Sequence, residues 1–193
     1  MRLTLLLLLL ALPGPLGAQA GPDLSAPPRA GSAVSVFLKG SKIAGESRAH
    51  LGGWAGLVFG NRLVVGGGGM ALLERVDLAG TVADTGFDLG MGYGGLVLRY
   101  FLPLPLGATG EMGLLLGAGN ADVRDHLAGR KLGSDNFQLL EPDLAISYPL
   151  LEGLFVTGSV GYRLVWGIED LPTVNDKDLR SLTAALSLRL GGR

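Results

Sequence analysis

Leu182-Thr183-Ala184-Ala185-Leu186-Ser187-Leu188-Arg189-Leu190 is the stretch that decides how this chain reads. Side chains alternate across an extended strand, so Leu182, Ala184, Leu186, Leu188 and Leu190 share one face and Thr183, Ala185, Ser187 and Arg189 the other. The pattern recurs upstream. Leu154, Val156, Val160, Tyr162, Leu164 and Trp166 oppose Thr157, Ser159, Gly161 and Arg163. Before them, Leu140, Leu144, Ile146 and Tyr148 oppose Glu141, Asp143 and Ser147.

Extending outward from these three, eight strand-like segments emerge: Ser32 to Lys39, Ala49 to Phe59, Arg62 to Arg75, Phe87 to Leu102, Ala108 to Asp122, Phe137 to Pro149, Leu154 to Ile168, and Leu179 to Leu190. Their connections alternate in length. Gly60-Asn61, Pro103 to Gly107 and Leu150 to Gly153 are short, whereas Gly40 to Arg48, Val76 to Gly86, Val123 to Asn136 and Glu169 to Asp178 are longer and carry most of the loop charge. Short periplasmic turns and long extracellular loops are the habit of outer-membrane barrels. With the amino terminus in the periplasm, all four long connections fall on the cell-surface side.

Composition agrees. Hydrophobic residues make up 48% of the chain and 33 of its 193 residues are glycine, which disfavours helix interiors. No stretch after the first twenty residues is long enough for a membrane helix. A closed barrel satisfies its backbone between strands and needs only alternate residues to be apolar, so it enters lipid without a long apolar run. There is no cysteine, which excludes a disulfide framework, a thiolate metal site and a lipoprotein anchor. The formal net charge of −1 argues against a nucleic-acid partner.

Residues 1–20 read as a signal peptide: Arg2, the apolar run Leu3 to Leu12, then the cleavage site Ala18-Gln19-Ala20. Residues 21–31, with Pro22, Pro27 and Pro28, read as an extended leader, and 32–193 as the barrel.

Two hairpins test the register. Centring one turn on Pro105 sets Leu98 opposite Met112, Leu96 opposite Leu114 and Arg99 opposite Glu111. The Gly60-Asn61 turn sets Trp54 opposite Gly67, within the run Gly66 to Gly69. A ring packed over a cross-strand glycine shields exposed backbone, and that is the use expected of this run. A phosphate-cradling loop would continue with Lys-Ser or Lys-Thr, but Met70-Ala71 follows.

A soluble lipocalin-like carrier would turn its apolar face inward and coat its outside with charge. Here the second face is mostly Gly, Ala, Ser and Thr with isolated charges, which suits a narrow interior that side chains fill. Arg99 with Glu111, and Arg163 with Glu141 or Asp143, are the expected interior ion pairs. Aromatic residues at strand ends suggest two interface girdles: Phe59, Tyr100, Phe101, Tyr148 and Phe155 at the periplasmic ends, and Phe37, Phe87, Phe137 and Trp166 at the outer ends.

The stretch Leu51 to Gly69, followed by Met91-Gly-Tyr-Gly-Gly-Leu96 and Leu140-Glu-Pro-Asp143, resembles small bacterial outer-membrane β-barrel proteins of the eight-stranded type. The likeness extends loosely over most of the chain and implies fold, not chemistry. It departs from such barrels, which commonly end on an aromatic residue used as an assembly signal, in finishing Leu188-Arg-Leu-Gly-Gly-Arg193.

Catalytic chemistry has little to stand on. A hydrolase needs a nucleophile beside a His held by a carboxylate. His50 and His126 are the only histidines, both expected near the outer rim, and neither sits in a nucleophile motif. Asp170, Asp176, Asp178 and Asn175 lack the spacing of a calcium loop. A porin-like channel requires about 16 strands. The expectation is an all-β, closed, eight-stranded, antiparallel up-and-down transmembrane barrel, monomeric and non-enzymatic, with outer-membrane lipid as its partner and no cofactor, metal or catalytic site. A lipid-modifying outer-membrane enzyme and a soluble periplasmic carrier of apolar ligands are the alternatives.

Overall fold

A computed structural model describes residues 31–78, 87–125, 130–169, 171 and 174–191. The expected signal peptide and most of the leader lie outside the described residues, as does His126.

Nearly all described residues belong to antiparallel strands: β1 (Gly31–Ile43), β2 (Glu46–Phe59), β3 (Leu63–Leu72), the short β4 (Val76–Leu78), β5 (Phe87–Pro103), β6 (Thr109–Asp125), β7 (Lys131–Leu151), β8 (Leu154–Trp166) and β9 (Ser181–Gly191). β1 pairs with β2 and β9, β2 with β3, and β3 with β5, while β5 through β9 each pair with the next. The eight long strands thus run up and down around a ring, each with two hydrogen-bonded neighbours.

Alternation decides which way each side chain points. Along β9, Leu182, Leu186, Leu188 and Leu190 are 75, 64, 53 and 54% exposed, while Arg189 between two of them is 1% exposed. β7 and β8 follow the same rule, with Leu144, Ile146, Tyr148 and Val160 outward and Glu141, Ser147, Thr157 and Arg163 inward. The expected faces of these three strands are therefore the observed ones.

Turn geometry shifts two expected registers. Gly60 and Asn61 both have positive φ, and the Arg62 N–H donates to the Phe59 carbonyl at 3.1 Å. The ladder nonetheless pairs Phe59 with Leu63, leaving Arg62 as an extra residue. Trp54 therefore faces Gly68, not Gly67. A Cβ on Gly68 would lie 2.7 Å from that of Trp54, so close packing explains the glycine. Between β5 and β6 the 3₁₀ turn Pro105–Gly107 centres on Leu106, one residue later than expected. Leu98 pairs with Leu114, Leu96 with Leu116 and Arg99 with Gly113. A two-residue displacement keeps every side chain on its face.

The long connections are less irregular than the sequence suggested. Gly40 to Arg48 is a continuation of the β1–β2 hairpin, turning through Ala44-Gly45, both at positive φ. This is the two-residue turn that matches strand twist. β6 and β7 likewise extend through most of Val123 to Asn136, and β4 lies against the start of β5. The last connection contains one helical turn, α1 (Asp176–Leu179).

Four residues assigned to the aromatic girdles point inward instead: Phe37, Phe101, Phe137 and Phe155, all below 9% exposure. Each shares its strand face with an interior polar residue, Ser35, Arg99, Glu141 and Thr157 respectively. Glycines opposite make room for two of them: an added Cβ would sit 2.8 Å from the Phe37 ring at Gly52 and 2.4 Å from the Phe137 ring at Gly119. Phe59, Tyr148 and Trp166 do face outward.

Candidate functional site

The polar chemistry of the molecule is concentrated inside the ring, in two networks. One lies toward the end carrying the short turns. Arg99 donates from Nη1 to Glu111 at 2.9 Å and from Nη2 to both oxygens of Asp143 at 2.9 Å. Glu111 also accepts from the Ser147 hydroxyl and lies 3.3 Å from Arg189 Nε. Ser147 and Thr157 share a 2.6 Å hydrogen bond. The Arg189 guanidinium is stacked between Phe101 and Phe155, 4.6 and 4.1 Å from their ring centres. Arg99 and Glu111 meet as expected even though the ladder does not pair them, because diagonal neighbours remain within reach of long side chains.

The second network lies toward the rim that carries the long connections. Lys39 forms an ion pair with Glu141. The Tyr93 hydroxyl donates to Glu141 at 2.8 Å and accepts from Arg163 at 3.2 Å. Thr183 donates to Glu141 at 3.2 Å. Arg163 was expected to pair with Glu141 or Asp143, but it meets neither directly. It donates to the Leu179 carbonyl at 2.7 Å, to Ser41 Oγ at 3.3 Å and to the Lys42 carbonyl at 3.5 Å. Lys39 has taken Glu141 and Arg99 has taken Asp143, so backbone dipoles and hydroxyls solvate the Arg163 charge.

The role of Lys39 was missed from sequence. It shares the inward parity of Ser35 and Phe37 on the first strand, and that signal would have placed it inside. Arg189 was placed on the inward face, but its partner Glu111 was not foreseen.

His50 is fully buried, and its Nε2 lies 2.8 Å from Ser41 Oγ. A Ser beside a His invites comparison with a hydrolase, yet the arrangement differs in each part that matters. His50 Nδ1 has no hydrogen-bond partner among the described residues, so no carboxylate orients the ring. Arg163 donates to the same Ser41 oxygen. Both residues lie among buried side chains, with Ile43, Leu179, Ile168, Leu171 and Val174 forming apolar cover at the rim.

The acidic cluster considered for calcium closes its own loop. Asn175 Oδ1 accepts from the Lys177 N–H and Asp178 Oδ2 from the Asn175 N–H, each at 2.9 Å, as a capping box for α1. Asp176 Oδ1 accepts from the Ile168 N–H at 2.9 Å. Asp170 lies outside the described residues. Among the described residues, no three His, Asp or Glu side chains gather as a metal site.

Between the networks are two small cavities of about 30 Å³ each, both bordered by Lys39, Arg99 and Asp143. Each has room for a few water molecules.

No protein-family model matches the chain, and no curated protein matches it. Solved structures do. Neisserial surface protein A superposes with a TM-score of 0.55 at 15% identity, over 83% of this chain and 96% of that one. The N-terminal β-barrel domain of Pseudomonas aeruginosa OprF gives 0.51 at 12% identity, over 84% and 99%. Ail, the attachment invasion locus protein of Yersinia pestis, in complex with the heparin analogue sucrose octasulfate, gives 0.50 at 14% identity, over 84% and 97%. These neighbours are small outer-membrane β-barrel proteins, and the chain shares their fold.

Proposed function

We propose that this chain is an integral outer-membrane barrel, exported by residues 1–20, closed to free passage and without enzymatic activity, that serves envelope structure or surface contact through its four rim connections. The observation that carries this reading is the inverted polarity of the ring. Leucine, valine and isoleucine cover the outward face, while Arg163, Arg189, Glu111 and Glu141 are each 2% exposed or less. In water such a surface would be an apolar patch far larger than the few hundred Å² that soluble monomers tolerate. In lipid it is the face a barrel requires.

The carrier alternative needs an apolar interior with room for a ligand. Among the described residues, the cavities beside Lys39, Arg99 and Asp143 hold only about 30 Å³ each and place charged side chains in their walls, well short of the several hundred Å³ that ligand pockets offer. The fold shared with small outer-membrane barrels supports the same reading.

The test is fractionation of cells expressing the full-length chain, followed by gel migration of unheated and boiled samples. Recovery in the outer-membrane fraction with a heat-dependent shift in migration is the expected result. Recovery in the soluble periplasmic fraction would overturn the proposal.

A further inference from the structure

Near the rim ends of β1, β2, β8 and β9 the outward face sinks into an open concavity of about 930 Å³. Gly40 pairs with Ala49 on one side and Ala184 on the other, and Ala184 pairs with Val160. One pair further from the rim, the same surface carries Leu38, Leu51 and Leu186. The small residues therefore open a trough, walled by Val160, Tyr162 and Leu182.

Charge stands on the rim side of this trough. Lys42 lies two residues beyond Gly40 on the same strand face, and Arg180 immediately precedes β9. The lining includes these two cations and Arg48 but no carboxylate. Glu46 and Asp176 stand on this side of the rim but outside the lining, and Asp88, Asp122, Asp125, Asp135 and Glu169 lie elsewhere on it. Arg180 is held by donation from Nε to the Val165 carbonyl at 2.8 Å, and its Nη2 stands 3.9 Å from Asp176. Its side chain is 37% exposed. The level is that of Tyr162 and Trp166, aromatic residues facing outward where headgroups meet hydrocarbon.

An apolar trough surmounted by cations is complementary to an anionic amphiphile. We infer that this concavity seats a phosphate-bearing anionic lipid, with an acyl chain in the Gly40–Ala49–Ala184 trough and its phosphate against Lys42 and Arg180. The inference rests on the outer-membrane reading above. Lys42 supplies a point charge and Arg180 a planar donor group suited to phosphate oxygens.

Native mass spectrometry of the full chain folded in detergent micelles tests the site, with phosphatidylglycerol, phosphatidylcholine or inorganic phosphate added. Phosphatidylglycerol is expected to remain bound in preference to phosphatidylcholine. Lys42→Glu with Arg180→Glu should weaken its retention by at least about thirtyfold, since loss of two basic residues at a lipid surface alone accounts for that much and the introduced carboxylates add repulsion. Lys42→Glu alone should weaken it less and leaves the Arg180 bond to Val165 in place. Gly40→Leu should also lower retention by filling the trough, since a Cβ there has no neighbour nearer than 3.9 Å. Arg130→Glu with Lys131→Glu, on the β6–β7 hairpin, should retain lipid as the parent does.

Equal retention by the parent and the Lys42/Arg180 double variant would overturn the inference. So would equal retention of the two lipids, or inorganic phosphate competing as effectively as phosphatidylglycerol. Heat-dependent migration of the parent is measured on the same sample. Its absence would overturn the membrane reading itself, whereas its presence without selective lipid retention would overturn only the lipid site.

Discussion

The two ionic networks inside the ring solve the same problem differently. Toward the short turns, Arg99 and Arg189 face Glu111 and Asp143, so cations and carboxylates balance. Toward the rim, Lys39 and Arg163 face Glu141 alone, and the second cation is stabilised by the Leu179 and Lys42 carbonyls and the Tyr93 and Ser41 hydroxyls. Charge compensation at one end and dipolar solvation at the other make different demands on the surroundings. The balanced network depends on a few side chains. The other depends on backbone from the β1–β2 hairpin and from α1, so its stability is tied to the fold of the rim.

The largest effect should come from breaking the balance. Glu111→Ala leaves Arg99 without one of its two carboxylates and removes the acceptor beside Arg189 and Ser147. Loss of one partner of a buried pair costs about 3–5 kcal/mol, which urea unfolding in lipid vesicles should show. Arg163→Met probes the other solution. No carboxylate is orphaned, because Glu141 keeps Lys39, Tyr93 and Thr183. The cost should be that of unsatisfied dipoles, roughly 1–3 kcal/mol in the same assay. If Arg163→Met costs as much as Glu111→Ala, the distinction between the networks fails.

Two smaller changes sharpen it. Ser41→Ala removes the His50 contact and one Arg163 acceptor, and should cost about 1 kcal/mol. Ala44 turns the β1–β2 hairpin at φ 49°, where an alanine is strained. Ala44→Gly should relieve that strain and stabilise the barrel by about 0.5 kcal/mol, after the entropic cost of glycine is subtracted. A destabilised Ala44→Gly variant would show that the turn is not where the rim holds strain.

Much of this arrangement is legible in the chain. Period-two patterning places Leu182 to Leu190 correctly on both faces, because that alternation is a property of the strand itself. Register is less legible, since it depends on turn details such as the extra Arg62 and the 3₁₀ turn at Leu106. Phe37, Phe101, Phe137 and Phe155 lie near strand ends, which suggests interface girdles, yet their parity with Ser35, Arg99, Glu141 and Thr157 is the stronger signal. The partners of Arg163 could not be foreseen in the same way. Carbonyls of Leu179 and Lys42 are supplied by backbone that folds over the rim, and no side-chain pattern announces them.

The central claim is that the leucine-bearing face meets lipid and the charged face does not meet bulk water. The chain has no cysteine, so single cysteines introduced from residue 182 to residue 190 give a clean series. Each can be spin-labelled in the membrane-embedded protein and probed with oxygen, which concentrates in lipid, and with a water-soluble nickel chelate. The account predicts that oxygen accessibility peaks at 182, 184, 186, 188 and 190 and drops at 183, 185 and 187, with the chelate reaching none of the central even positions. Chelate accessibility at 184, 186 and 188 would place that face in water and contradict the account.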